Sequence, residues 1–117
     1  MIIMEFKRSI GNVNWKPHPA GHDGVEMKVL RSKEDSKVES SIALVKVREG
    51  FEVPKHDHED ADDNLYILEG KAKMKVDDEV FNIDEDCQIT VPKGTDHEIF
   101  DVEKDLLIYD VFSPAIF

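Results

Sequence analysis

Three histidines and one aspartate are the residues of this chain whose types and spacing point most directly to chemistry. His56 and His58 stand two apart, Asp63 follows five residues after His58, and His97 comes after the turn Pro92-Lys93-Gly94. Along a strand, residues i and i+2 project from the same face, so His56 and His58 can aim two imidazoles at one point. Neutral imidazole is the commonest side-chain ligand for a transition metal. Asp63 opens the next apolar run, and its carboxylate can reach the same point if the chain turns back through the acidic stretch Glu59-Asp60-Ala61-Asp62. His97 begins a later run, at the mouth of a sheet, and is the candidate for a fourth ligand. Singly, each feature has an ordinary reading: a His-x-His on a wet loop, a solvated acidic turn, a hydrogen-bonded strand histidine. Their joint spacing carries the case. A set of three nitrogens and one oxygen leaves one or two coordination positions open and accepts a divalent transition metal, Mn, Fe, Ni, Zn or Co, without choosing among them. It disfavours tight Ca or Mg binding, since those ions prefer an all-oxygen shell.

The elements that must position these groups are strands. Val25, Met27 and Val29 alternate with Glu26 and Lys28, and Ala72, Met74 and Val76 alternate with lysines, the pattern of a strand with one wet face. Residues 41–47, 65–68, 80–83, 87–91, 98–102 and 106–112 are further short runs rich in Val, Ile, Phe and Tyr. Turn signals fall between the runs, at Glu49-Gly50, Glu69-Gly70, Asp77-Asp78, Asp84-Glu85-Asp86 and Pro92-Lys93-Gly94. No stretch keeps the apolar spacing of an amphipathic helix. Short strands at nearly regular spacing predict an all-β barrel or sandwich, because an open sheet leaves pairing edges exposed. Residues 12–24, with Trp15, two prolines and two glycines, read as an arm, and residues 32–40 as a solvated connection.

A chain of 117 residues is most simply one domain. Its 26 acidic against 15 basic residues give a formal charge of −11, which argues against nucleic acid or an anionic membrane as a partner. A lone cysteine, Cys87, forms no internal disulfide; it reads as a small buried hydrophobe in a reducing compartment. No apolar run approaches the roughly 20 residues that span a bilayer. Lys7 and Arg8 follow the first apolar residues in the wrong order for a signal peptide, so the expected location is cytoplasmic.

The spacing of Gly50, His56, His58, Asp63 and Gly70 resembles the first motif of the cupin superfamily, with every interval kept. Asp86, Pro92, Gly94, His97 and Asp101 occupy the positions of its second motif. The short interval between the two is typical of small, single-domain microbial cupins, of the type-2 conserved-barrel kind. The resemblance implies a double-stranded β-helix, a jelly-roll barrel, over residues 25–117, with residues 1–24 as an N-terminal strand and arm. It implies a metal held by His56, His58, His97 and the carboxylate position. Asp63 stands where the family usually has glutamate, an arm shorter by about one C–C bond of roughly 1.5 Å, so either direct ligation or a water-bridged contact is open. Asp62 is the neighbouring alternative, although alternation points it away if Asp63 points in. Asp86 and Asp101 replace a glycine and an asparagine and affect turns rather than the metal.

Alternation from these ligands puts Leu65, Ile67 and Ile99 on the inward face, with Phe51, Met27 and Tyr109 near the mouth. No residue is assigned as general acid or base, and His18 and His22 read as loop residues. The functional expectation is a metal-dependent enzyme acting on a small oxygen-rich anion, a dicarboxylate or sugar acid. Chemistry like that of oxalate decarboxylases, dioxygenases or isomerases is compatible with the resemblance. The alternatives are a non-catalytic module binding metal or a small ligand, and a structural dimer with no metal. A homodimer is expected in any case, through sheet edges and through residues 1–6 and 114–117.

Overall fold

Alternating apolar residues become strands because one face of each finds a common core. The computed structural model describes residues 5–35 and 38–117. Its strands are β1 (Lys16–Pro17), β2 (Val25–Arg31), β3 (Ser41–Val47), β4 (Val53–His56), β5 (Asp62–Val76), β6 (Glu79–Asp84), β7 (Gln88–Val91) and β8 (His97–Ser113). Every pairing is antiparallel. Ile10–Asn12 forms one 3-10 turn, and there is no α-helix among the described residues. The architecture is the all-β jelly roll that the sequence leads one to expect.

The two long strands organise it. The second half of β8 pairs with β3, and its start pairs with β4. β5 pairs with β8 along most of its length, with β7 through its first half and with β6 through its second. Each long strand therefore serves two half-sheets. Val25, Val45, Leu65 and Ile108 from one meet Val53, Met74, Ile83 and Ile99 from the other in a single core cluster. Ile67, Met74, Leu106 and Ile108 are almost completely buried there. Cys87 is half-buried at the margin of that cluster rather than fully inside it.

The sequence reading is corrected where it breaks β5 and β8. Glu69-Gly70 is not a turn, and residues 98–102 and 106–112 are not separate strands; both strands run through, with register shifts between Ile67 and Lys73. Gly70 has φ near +103°, and a Cβ there would lie 2.4 Å from the Asp105 carbonyl oxygen and 2.8 Å from Leu106 Cα. Only a glycine lets the two backbones approach so closely, so this glycine marks a crossing instead of a chain reversal.

The C-terminal residues pack within the same chain. Residues 114–117 fold back on their own barrel: the Ala115 N–H donates to the Glu39 carbonyl at 2.7 Å, and the N–H groups of Ile116 and Phe117 donate to Ser41 Oγ at 2.8 and 3.2 Å. Ser41 is fully buried, so these bonds satisfy a hydroxyl that would otherwise lack a partner. Of the segment 1–6, residues 1–4 lie outside the described residues, as do 36 and 37 of the connection between β2 and β3, while Phe6 is exposed. The arm is held over the outer faces of β2 and β3 by Trp15, whose ring lies 5.0 Å from Lys28 Nζ and 5.7 Å from Lys46 Nζ.

Candidate metal centre

Strand pairing brings the distant histidines together. β4 lies antiparallel to the start of β8, with His56 opposite His97 and Val53 opposite Ile99. His58 lies just beyond the end of β4, where its carbonyl accepts the Gly94 N–H at 2.8 Å. That bond ties the His-x-His segment to the turn preceding His97. Ligand atoms of the three rings come within 4.8 Å of one another, so His56, His58 and His97 could hold a metal ion.

The orientation of two rings is fixed from behind. His56 Nδ1 lies 2.8 Å from the Pro54 carbonyl oxygen, and His97 Nδ1 lies 3.0 Å from that of Thr95. A ring nitrogen facing a carbonyl donates its proton to it, which leaves Nε2 of the neutral ring with the lone pair. Nε2 of His97 is buried with no hydrogen-bond partner. An orphaned acceptor beside two further imidazoles suits a cation, and the nitrogen-rich donor set suits a transition metal rather than Ca or Mg.

Asp63 approaches from the other half-sheet. It is 3% exposed, with Oδ2 3.5 Å from His97 Nε2 and 3.8 Å from His58 Nε2, and its Oδ1 has no hydrogen-bond partner. Asp62 points away and is exposed; its Oδ1 accepts the Lys93 N–H at 2.9 Å.

The electrostatics of these groups divide by surroundings. Burial lowers the pKa of His56 and of His58 by disfavouring the charged ring, with the neighbouring imidazoles adding to it. At His97 burial acts the same way but is outweighed by Asp63 and by the Thr95 carbonyl, so its pKa is raised. The 3.5 Å separation from Asp63 makes this a charge interaction more than a well-formed hydrogen bond.

The cupin domain pattern matches residues 43–112, more than half of the chain. The chain belongs to the cupin family. Solved structures of similar fold include an RmlC-like cupin from Shewanella frigidimarina, at TM-score 0.79 and 21% identity, covering 95% of this chain and 92% of that one. A predicted oxalate decarboxylase from Thermotoga maritima matches at TM-score 0.78 and 24% identity, covering 91% and 96%. KdgF from a Halomonas species matches at TM-score 0.75 and 22% identity, covering 88% and 87%. Likenesses at these identities carry the fold alone. No curated protein matches this cupin in sequence.

The cupin's imidazoles and Asp63 open into a cavity of about 270 Å³. Leu65, Ile99 and Met27 line it as alternation implies, while Ile67 faces inward but lies in the packed core. Phe51 and Tyr109 do not line it. Phe51 lies against Gly24, where it fills the space a Cβ would take, and Tyr109 sits opposite Tyr66, on the face of β8 turned away from the cavity. His18 belongs to the loop after β1, yet it lines the cavity too. Burial, and then His22 and His56, lower its pKa.

Sequence reasoning missed Asp110. This carboxyl is 6% exposed, lines the cavity, and lies diagonally across from Asp63, since Asp63 pairs with Phe112 and Leu65 with Asp110. Burial, together with hydrogen bonding to Asp63 and its charge, raises the Asp110 pKa well above the ordinary carboxylate value. Its Oδ1 has no partner. The available signal was a lone acidic residue inside the apolar run 106–112, where both faces are apolar and parity could not be read.

Proposed function

We propose that this cupin is a metal-dependent enzyme that takes a small oxygen-bearing anion into its barrel, with His56, His58, His97 and Asp63 holding a divalent transition metal. One observation carries the reading: three imidazoles converge at one cavity, two of them with Nδ1 turned onto backbone carbonyls so that Nε2 is free to ligate. An ion bound there would supply a Lewis acid for a carbonyl or carboxylate, or an activated water. Asp63 tempers the charge of the site, and Asp110, whose carboxyl is biased toward the neutral form by burial and by Asp63, lines the same cavity. The apolar wall limits water around these groups and strengthens each charge interaction among them. The predicted oxalate decarboxylase from Thermotoga maritima lends a fold-level analogy for an anionic substrate.

Elemental analysis of untagged protein tests the metal. Near one equivalent of a transition metal is expected in wild type, with loss in His56→Ala and His97→Ala of a hundredfold or more in affinity. Retention of metal by both variants overturns the assignment. Turnover of anionic substrates that disappears with the metal while the fold is kept supports an enzyme; binding without turnover supports the non-catalytic module. A cytoplasmic location belongs to the same reading, supported by the single cysteine. So does a homodimer, supported by the exposed Tyr66 and Leu68 on the outer face of β5 and checked by light scattering.

A further inference from the structure

The wall of the cavity bears on what it holds. Among the described residues, no Lys, Arg, Ser, Thr, Asn or Gln side chain lines it. Its side-chain polar atoms belong to the three clustered imidazoles, to Asp63 and Asp110 beside them, and to His18. The rest is apolar, with Val45, Val53, Leu65, Ile108 and Phe112 among its larger surfaces. The cavity is therefore polar at the imidazole cluster and oily elsewhere.

Resting on the metal reading above, we propose that its ligand is a one-headed monoanion, a carboxylate with a neighbouring oxygen donor, as in a 2-oxo or 2-hydroxy acid, carried on a short hydrocarbon body. A metal held by the three imidazoles and Asp63 would take the two oxygens of that head as a chelate. A dicarboxylate brings a second charge into a wall that offers no Lys or Arg, and a sugar acid brings several hydroxyls to a wall whose side-chain partners beyond the metal cluster, among the described residues, are His18 and Asp110. Burying such groups unpaired is strongly unfavourable, whereas a hydrocarbon body gains by leaving water. The size agrees: a dry cavity of about 150 Å³ accepts benzene, so about 270 Å³ takes a chelating head with a small body. The anionic head of the sequence expectation is kept, while its dicarboxylate and sugar-acid members give way to a one-headed acid with a hydrocarbon body.

The test uses the intact chain loaded with Co(II), whose visible spectrum reports both uptake of the ion and arrival of an oxygen ligand. Three probes are titrated by calorimetry: 4-methyl-2-oxopentanoate, 2-oxoglutarate and gluconate. The branched oxo acid is expected to bind at least tenfold more tightly than either of the others and to perturb the Co(II) spectrum. If Co(II) is taken up but 2-oxoglutarate or gluconate binds as tightly or more so, or none of the three binds, the one-headed ligand is wrong and the metal site stands. Failure to take up Co(II) at all overturns the metal reading, and this inference with it.

Discussion

The inward face of β5 changes character along its length, and the contrast separates what stabilises this protein from what lets it bind. At one end Asp63 and Leu65 look into a cavity, beside three imidazoles and a second carboxyl. Farther along, Ile67, Ala72 and Met74 lie in close-packed core, against neighbours such as Ile83 and Leu106. Both ends obey the same alternation and are equally hidden from solvent, with Asp63 at 3% and Met74 at 0% exposed. The difference lies in what faces them. The packed end is filled by side chains of the opposite half-sheet, whereas the hollow end leaves polar atoms without partners. Unfilled space and orphaned acceptors are unfavourable for stability, and a native fold keeps them where a ligand supplies the missing contacts.

The sharpest way to break this contrast is at the crossing between the two ends. Gly70→Ala places a Cβ against the Asp105 carbonyl at a positive φ, and neither backbone can yield without disturbing the other. A loss of about 3–5 kcal/mol is expected from clash and strain together, measured by urea unfolding; a loss under 1 kcal/mol would show that the crossing is not tight.

Truncation compares the two ends directly. Leu106→Ala, in the packed region, is expected to destabilise by about 3–5 kcal/mol, and Leu65→Ala, which enlarges a cavity already present, by about 2 kcal/mol. Equal values for the two would remove the distinction between packed and hollow ends. Leu65→Ala should also weaken binding of a branched oxo acid, which Leu106→Ala leaves unchanged as long as the fold is kept.

The smallest effect depends on pH. Asp110 has a raised pKa in the folded chain, so near pH 4 the unfolded chain begins to ionise this carboxyl while the fold holds its proton. As pH rises above that point the unfolded state gains, and the contribution of Asp110 to stability falls until the folded pKa is passed. Asp110→Asn cannot ionise. In metal-free protein the variant's Tm should therefore rise relative to wild type as pH increases above about 4. A gap that stays constant across this range would place the Asp110 carboxyl in an ordinary environment.

Much of this was legible one strand at a time. Residues 25–29 and 41–47 have their pattern because each needs only a near-neighbour period to declare a buried face. His56 and His58 could be read as a pair for the same reason, and Asp63 against Asp62 followed from parity. The long strands were misread at Gly70 because a glycine beside glutamate has the local chemistry of a turn, and the backbone that forces it, at Asp105, lies far along the chain. Asp110 and Tyr109 could not be ordered because residues 106–112 are apolar on both faces.

Amino-acid order alone determined the all-β class, the strand faces and the residue types able to ligate a metal, since these depend on local spacing and side-chain chemistry. Only tertiary structure decided that β4 lies against the start of β8 and that a second carboxyl joins Asp63. The same holds for residues 114–117, which fold back onto Ser41 instead of extending outward. Each of these arises from packing between segments distant in sequence, where loop closure and the fit of two half-sheets, not the period of either strand, select the partner.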